Sequence, residues 1–292
     1  MAYNNLRPID LHVHSTRSDG TLTPTELVTL AAKKSLSAFA LTDHDSTNGI
    51  AEAMEAAKGT NIEVVPGIEF STEYNGRDVH IVGLYYDWQD PAFREEVKVF
   101  TEERTRRNRR MCEIMAADGI AISYEELVAA NPDSVITRAN IASFLMDRHV
   151  VVNRKEAFDR LIGDGCKYFI PREKISPEKA IAFTLRYHGI PILAHPFQYE
   201  LGDEGLETLV RRLTEAGLVG IEAYYCNHTE EMTRKVMTMA DKYGLLLSGG
   251  SDFHGENKPG LEMGNGYGHL RVPGELLVRM KQYLSNTTNN DQ

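Results

Sequence analysis

Compact apolar runs alternate with amphipathic stretches along most of this chain. Strands are predicted at residues 9–15 (IDLHVHS), 38–45 (AFALTDHD), 62–70 (IEVVPGIEF), 78–86 (DVHIVGLYY), 190–196 (IPILAHP), 220–225 (GIEAYY) and 245–254 (LLLSGGSDFH). Helical periodicity falls between several of them, at 47–58, 176–188, 205–216 and 229–243. Another helix runs to about Lys34 from Thr23-Pro24-Thr25-Glu26, a capping box with proline at the first helical position. Strand–helix alternation predicts a parallel sheet with helices outside it.

The rhythm breaks between residues 93 and 165, where no convincing strand occurs. Residues 93–119 read as one long helix, and shorter helices follow at 124–129, 137–148 and 154–162. No Pro/Gly/Ser-rich linker brackets this segment, and the alternation resumes after it. The expected organisation is therefore one α/β domain, residues 1–92 and 166–292, with 93–165 as a helical insertion contributing to a substrate pocket. The tail SNTTNNDQ is expected to fray.

Composition narrows the function classes. With 42% hydrophobic and 25% charged residues, the 292-residue chain is ordinary for a soluble globular protein. It has no apolar run of about 18 residues, so no membrane span is expected, and MAYNNLRPID lacks the pattern of a secretory signal. Cys112, Cys166 and Cys226 are scattered without paired spacing, which points to a reducing, cytoplasmic setting. A net charge of -10 repels nucleic-acid backbones on average, so stable duplex DNA binding is not expected. A phosphate-bearing ligand would need local arginines or metal ions.

His12 and His14 stand two residues apart on one strand, so their side chains share a face. Two imidazoles at a strand end suit a metal, although a bare pair also fits a surface or a satisfied core. The rest of the chain changes the balance. Asp43, His44 and Asp45 end the second strand, Glu69 the third, His195 the fifth, and Asp252 and His254 the last. His80 instead opens its strand. In a parallel barrel the C-terminal strand ends converge on one mouth. Singly, Asp43 could cap the following helix and Glu69 could pair with an arginine; together these residues predict a metal centre.

The ordered set His12-x-His14, Thr42-Asp43-His44, Pro66-Gly67-Ile68-Glu69, Ala194-His195-Pro196 and Ser251-Asp252-Phe253-His254 resembles the signature of the PHP (polymerase and histidinol phosphatase) family. The resemblance runs from residue 8 to about 255, the helical middle excepted. It implies a distorted, TIM-like (β/α)7 barrel with two or three divalent ions. His12, His14, Glu69 and Asp252 would hold the first ion. Glu69 would bridge to a second, held also by His80 and His195, and Asp19, His44 and His254 would hold a third. Such mixed imidazole and carboxylate ligands suit Mn, Fe or Zn. The implied chemistry is phosphate-ester hydrolysis by a water bridging two ions, its pKa lowered by them. His228, in YYCNHTEE, resembles a position near the phosphate and is a candidate acid or phosphate donor, with a polar loop histidine as the alternative. Asp43 is expected to orient a ligand.

The insertion carries ERTRRNRR (103–110). On a helix, Arg106, Arg109 and Arg110 form one group and Arg104 and Arg107 another row; such a run often ends as a solvated face. Arg138 resembles an arginine that meets substrate phosphate in the family's nucleotide-directed subgroup. Asn140 stands where those relatives often have histidine. Arg138, Asn140 and Arg107 are the substrate-binding candidates. The resemblance implies a nucleotide substrate, such as a nucleoside 3',5'-bisphosphate or a 5'-phosphorylated short RNA. Histidinol phosphate is the competing substrate. A metal-binding module without turnover is the competing class, against which the intact ligand set argues.

Overall fold

The computed structural model describes residues 7–171 and 175–290. Seven strands, β1 (Ile9–Val13), β2 (Ala38–Leu41), β3 (Glu63–Tyr74), β4 (Arg77–Leu84), β5 (Ile190–Leu193), β6 (Gly220–Tyr225) and β7 (Leu246–Gly250), form one sheet in sequence order. The sheet curls into a nearly closed barrel. The backbone after β7 meets β1: His14 N–H donates to Phe253 O at 2.9 Å, and Asp252 N–H to His12 O at 2.8 Å. Gly250 permits this approach, since a Cβ there would lie 2.3 Å from the His12 Cβ. β1, β2 and β5 are buried along their whole length, as strands with both faces covered must be.

The sheet is not wholly parallel. β4 runs antiparallel to both β3 and β5. The cause is local: Asn75 and Gly76 both have positive φ, 51° and 76°, and form the two-residue loop of a β3–β4 hairpin. Asn-Gly is the strongest short-range hairpin signal. The reversal also explains His80. It lies in the N-terminal half of β4, and on a reversed strand that half lies toward the mouth where the other strands end.

Helices α1 (Pro24–Lys33), α2 (Ile50–Ala57), α8 (Gly202–Glu215) and α9 (Glu230–Tyr243) follow strands, α7 (Pro177–Arg186) leads into β5, and α3 (Pro91–Ala117), α4 (Tyr124–Ala130), α5 (Arg138–Asp147) and α6 (Arg154–Ala157) lie between β4 and α7. The Thr23–Glu26 box caps α1 reciprocally. α2 starts three residues later than expected, because residues 42–49 form a loop at the mouth. α6 runs into a π-turn at Phe158–Ile162. Helices α3 to α6 surround their own apolar cluster, including Met111, Met115, Leu127, Ile141 and Leu145. They also touch the barrel mouth: Val135 N–H donates to Arg17 O at 2.9 Å.

The C-terminal segment departs from expectation. α10 (Glu275–Asn290) takes in most of the tail that was expected to fray; residues 291 and 292 lie outside the described residues. Leu276, Leu277, Met280, Tyr283 and Leu284 recur at helical spacing and pack on the cluster of Ile9, Leu11 and Ile190. Among the described residues, no helix is long and apolar enough to cross a membrane.

Candidate metal centre

Glu69, in the middle of β3, is buried and faces five imidazoles. Its Oε2 lies 3.3 Å from His12 Nε2, 3.2 Å from His14 Nε2 and 3.1 Å from His44 Nδ1. Its Oε1 lies 2.7 Å from His80 Nδ1 and 3.0 Å from His195 Nε2. Two further carboxylates flank it. Asp252 Oδ1 is 3.7 Å from His12 Nε2 and 3.4 Å from both His14 Nε2 and His254 Nδ1. Asp19 Oδ1 is 3.3 Å from His254 Nε2 and 3.8 Å from His14 Nδ1, and its Oδ2 is 3.8 Å from His44 Nε2. All nine residues expected at the centre therefore meet in one cluster.

The cluster resolves into four overlapping groups whose donor atoms lie within 4.8 Å of one another: His12, His14 and Asp252; His12, Glu69 and His195; His44, Glu69 and His80; and His14, Asp19, His44 and His254. The first lacks the Glu69 that the implied first ion site includes, and the last adds His14 to the implied set of Asp19, His44 and His254. His80 and His195 both touch Glu69 but fall into separate groups.

The backbone is bent to make this meeting possible. His195 and Asp252 are non-glycine residues with positive φ, 24° and 55°, a cost that clusters at functional sites. Gly20 turns so tightly that a Cβ there would lie 2.3 Å from His14 O, and this returns Asp19 to the first strand's histidines. Asp43 holds that turn. Its carboxylate accepts from Ser15 N (2.8 Å), Ser15 Oγ (2.7 Å) and Ser18 Oγ (2.6 Å). It thus orients the loop bearing Asp19 and leaves α2 uncapped by any side chain.

The donor set fits divalent ions. His12 Nε2, both ring nitrogens of His14, His44 Nδ1, Asp19 Oδ1 and Glu69 Oε2 are buried and make no hydrogen bond among the described residues. Buried polar atoms left so are costly, and a shared cation removes the cost. Charge complementarity agrees. Burial would push Glu69 upward, yet His80 and His12 hold its carboxyl well below the usual range. Burial would depress His14, but Asp252 and Glu69 lift it to about 9. His44, dominated by burial, is pushed down to about 3 and is neutral.

A family model described as the PHP domain matches residues 10–169. The chain belongs to the PHP family. It is 36% identical over 259 residues to a 3',5'-nucleoside bisphosphate phosphatase of Chromobacterium violaceum, covering 88% of this chain and 90% of that one. It is also 36% identical over 248 residues to a 5'-3' exoribonuclease of Haemophilus influenzae, covering 84% and 89%. Among solved structures, a candidate metal-dependent phosphoesterase from Bifidobacterium adolescentis matches with a TM-score of 0.82 at 29% identity, covering 94% of this chain and 95% of that one. An amidohydrolase from Chromobacterium violaceum, solved with sulfate and without metal, matches with a TM-score of 0.81 at 34% identity, covering 93% and 96%. This PHP chain is a metal-dependent phosphoesterase.

Several residues around the PHP centre escaped the sequence reading. Glu222, an acidic residue inside the apolar strand GIEAYY, accepts from His195 N at 2.7 Å and pairs with His12 Nδ1 at 3.2 Å. Tyr225 OH donates to Asp252 Oδ2 at 2.9 Å, and Lys258 Nζ sits 2.5 Å from the same oxygen. Asn257 Nδ2 donates to Asp19 O at 2.5 Å and accepts from Arg154, whose Nε donates to Ser143 Oγ at 2.7 Å. Only Glu222 left a signal, as a charge where the strand pattern calls for an apolar side chain.

The remaining candidates have defined places. His228 is buried, and its Nδ1 donates to Ala223 O at 2.9 Å. In the neutral ring Nε2 therefore carries no proton and only accepts, and burial pushes the ring's pKa down. Arg138 donates to Asp164 at 2.7 Å and to Asp78 at 3.4 Å, with its guanidinium 5.3 Å from the Phe169 ring centre. Asn140 is committed to the start of α5, accepting from Thr137 N at 2.7 Å, and its amide donates to Ser18 O at 3.2 Å. The arginine run divides by helical row. Arg106, Arg109 and Arg110 are solvent-exposed partners of Glu103, Glu125 and Glu113. Arg104 and Arg107 are buried, Arg104 against Asp45 at 2.5 Å.

Proposed function

We propose that this PHP phosphoesterase hydrolyses a phosphate ester of a nucleotide, with a nucleoside 3',5'-bisphosphate or a 5'-phosphorylated short RNA as the substrate class. The observation that carries the reading is Glu69 facing five imidazoles between Asp19 and Asp252. The bisphosphate phosphatase and exoribonuclease names of its relatives support the substrate class.

Divalent ions held by His12, His14, Asp19, His44, Glu69, His80, His195, Asp252 and His254 would polarise phosphoryl oxygens and lower the pKa of water. The chain's own groups do the rest. Glu222 fixes the His12 ring, with Nδ1 as the donor, and so leaves Nε2 for coordination. Lys258 and Arg154 bring positive charge to the rim, where a phosphate dianion would compete for them. His228 Nε2 accepts a proton as it stands; donating one requires the protonated ring, which burial opposes and an adjacent phosphate favours. Residues 93–165 supply the upper wall through Arg138, Arg154 and Asn140, with Asn140 holding the Asp19 loop. The three unpaired cysteines support a cytoplasmic setting.

The test is phosphate release with manganese from adenosine 3',5'-bisphosphate, AMP and histidinol phosphate in parallel. Preference for the bisphosphate is expected. Preference for histidinol phosphate would discard the nucleotide substrate while leaving the metal chemistry in place.

A further inference from the structure

Cations on this acidic surface are mostly neutralised by nearby carboxylates. Arg234 on α9 and Arg271 after β7 are exposed, and neither forms an ion pair among the described residues. Both line one cleft of ≈ 730 Å³. Tyr267, 49% exposed, lines it as well, together with half-buried Tyr224 and exposed His269. Among the described residues, Glu230 is the only carboxylate on its wall. His228 also lines it, only 6% exposed, with Nε2 unpartnered.

The cleft adjoins the metal centre. Tyr225 lines it and donates to Asp252, and the Tyr225 and His228 rings are 5.3 Å apart. Its volume suits a ligand of nucleotide size. Unneutralised guanidiniums call for anions, and on a chain of net charge -10 they do not reflect the average surface. An exposed tyrosine, Tyr267, on the same wall as two arginines fits a single-strand nucleic-acid track, where cations follow the backbone and aromatic rings stack bases. An apolar ligand would leave both arginines unserved.

We propose that this cleft binds the nucleotide beyond the one held at the metal centre in a single-stranded oligonucleotide. Tyr267 stacks its base, and Arg234 and Arg271 take its phosphate. The proposal rests on the nucleotide phosphoesterase reading and extends it: the cleft makes the chain prefer an oligonucleotide over a lone nucleotide.

The experiment compares the wild-type metal-loaded protein with Tyr267→Ala and with the double variant Arg234→Gln/Arg271→Gln. All three positions are exposed, so the fold is not at stake. Two readouts are taken: KM and kcat on a 5'-phosphorylated triribonucleotide and on adenosine 3',5'-bisphosphate, and polarisation binding of a 3'-fluorescein-labelled form of that trimer at several salt concentrations. Each variant should raise the trimer KM about tenfold or more with little change in kcat, and leave the bisphosphate KM unchanged. The double variant should also lower the slope of log affinity against log salt by about 0.7 for each phosphate it no longer neutralises. Equal shifts on both substrates, an unchanged trimer KM, or no trimer binding by the wild type would overturn the cleft assignment. Cleft-dependent trimer binding without hydrolysis of either substrate would support the cleft and sink the nucleotide hydrolase reading. Hydrolysis of both substrates by variants that bind the trimer normally would do the reverse.

Discussion

Glu69 faces imidazoles from β1 and β4 and from the loops after β1, β2 and β5. Glu69→Gln should lower bound metal and reduce phosphate release by about 10³-fold or more, since several kcal/mol of transition-state stabilisation depend on the ions. Retained metal with normal turnover would refute its role. Glu222 acts through His12 and His195. Glu222→Gln should weaken metal affinity about 10–100-fold, and full activity should return at high manganese, an outcome that a merely misfolded variant would not give. Protons compete with metal at His14, lifted to about 9 by Asp252 and Glu69 against burial. Its proton must leave before the ring coordinates. Metal binding at pH 7 should therefore release protons, and apparent affinity should rise with pH until about 9. Calorimetry in two buffers of different ionisation heat reads this directly; identical heats would contradict it. The histidines and carboxylates that cluster at the mouth were legible in the sequence because they recur at strand ends. Tyr225, Lys258 and Arg154 were not, because they reach the site through side-chain directions and loop crossings that no local spacing records.

At the scale of elements, strand positions were readable from apolar runs, but direction was not read correctly for β4. The signal was present in Asn75-Gly76, whose paired positive φ angles reverse the chain. α10 was missed for a different reason: its polar tail masks the apolar stripe from Leu276 to Leu284 that docks under the barrel. The arginine run divides by helical row, exposed against buried, as helix geometry requires. Arg104 ties α3 to the mouth through Asp45, with both side chains buried. Arg104→Ala removes the guanidinium from a buried carboxylate and should cost about 3–5 kcal/mol, measured by urea unfolding. A loss below about 1 kcal/mol, as for a surface pair, would show that this pair does not anchor the helix.

At the scale of the molecule, the barrel brings residues from His12 to His254 to one mouth, and helices α5 and α6 bear on the loop that carries Asp19, α5 through Asn140 and α6 through Arg154 and Asn257. The central claim is that the cluster is a working metal centre. The most direct measurement strips the protein with chelator, returns manganese stepwise, and records bound metal and phosphate release from adenosine 3',5'-bisphosphate at every step. Stripped protein should release no phosphate, and activity should return as two or three ions bind per chain. Undiminished release from metal-free protein, or full release with no ion bound, would contradict the assignment.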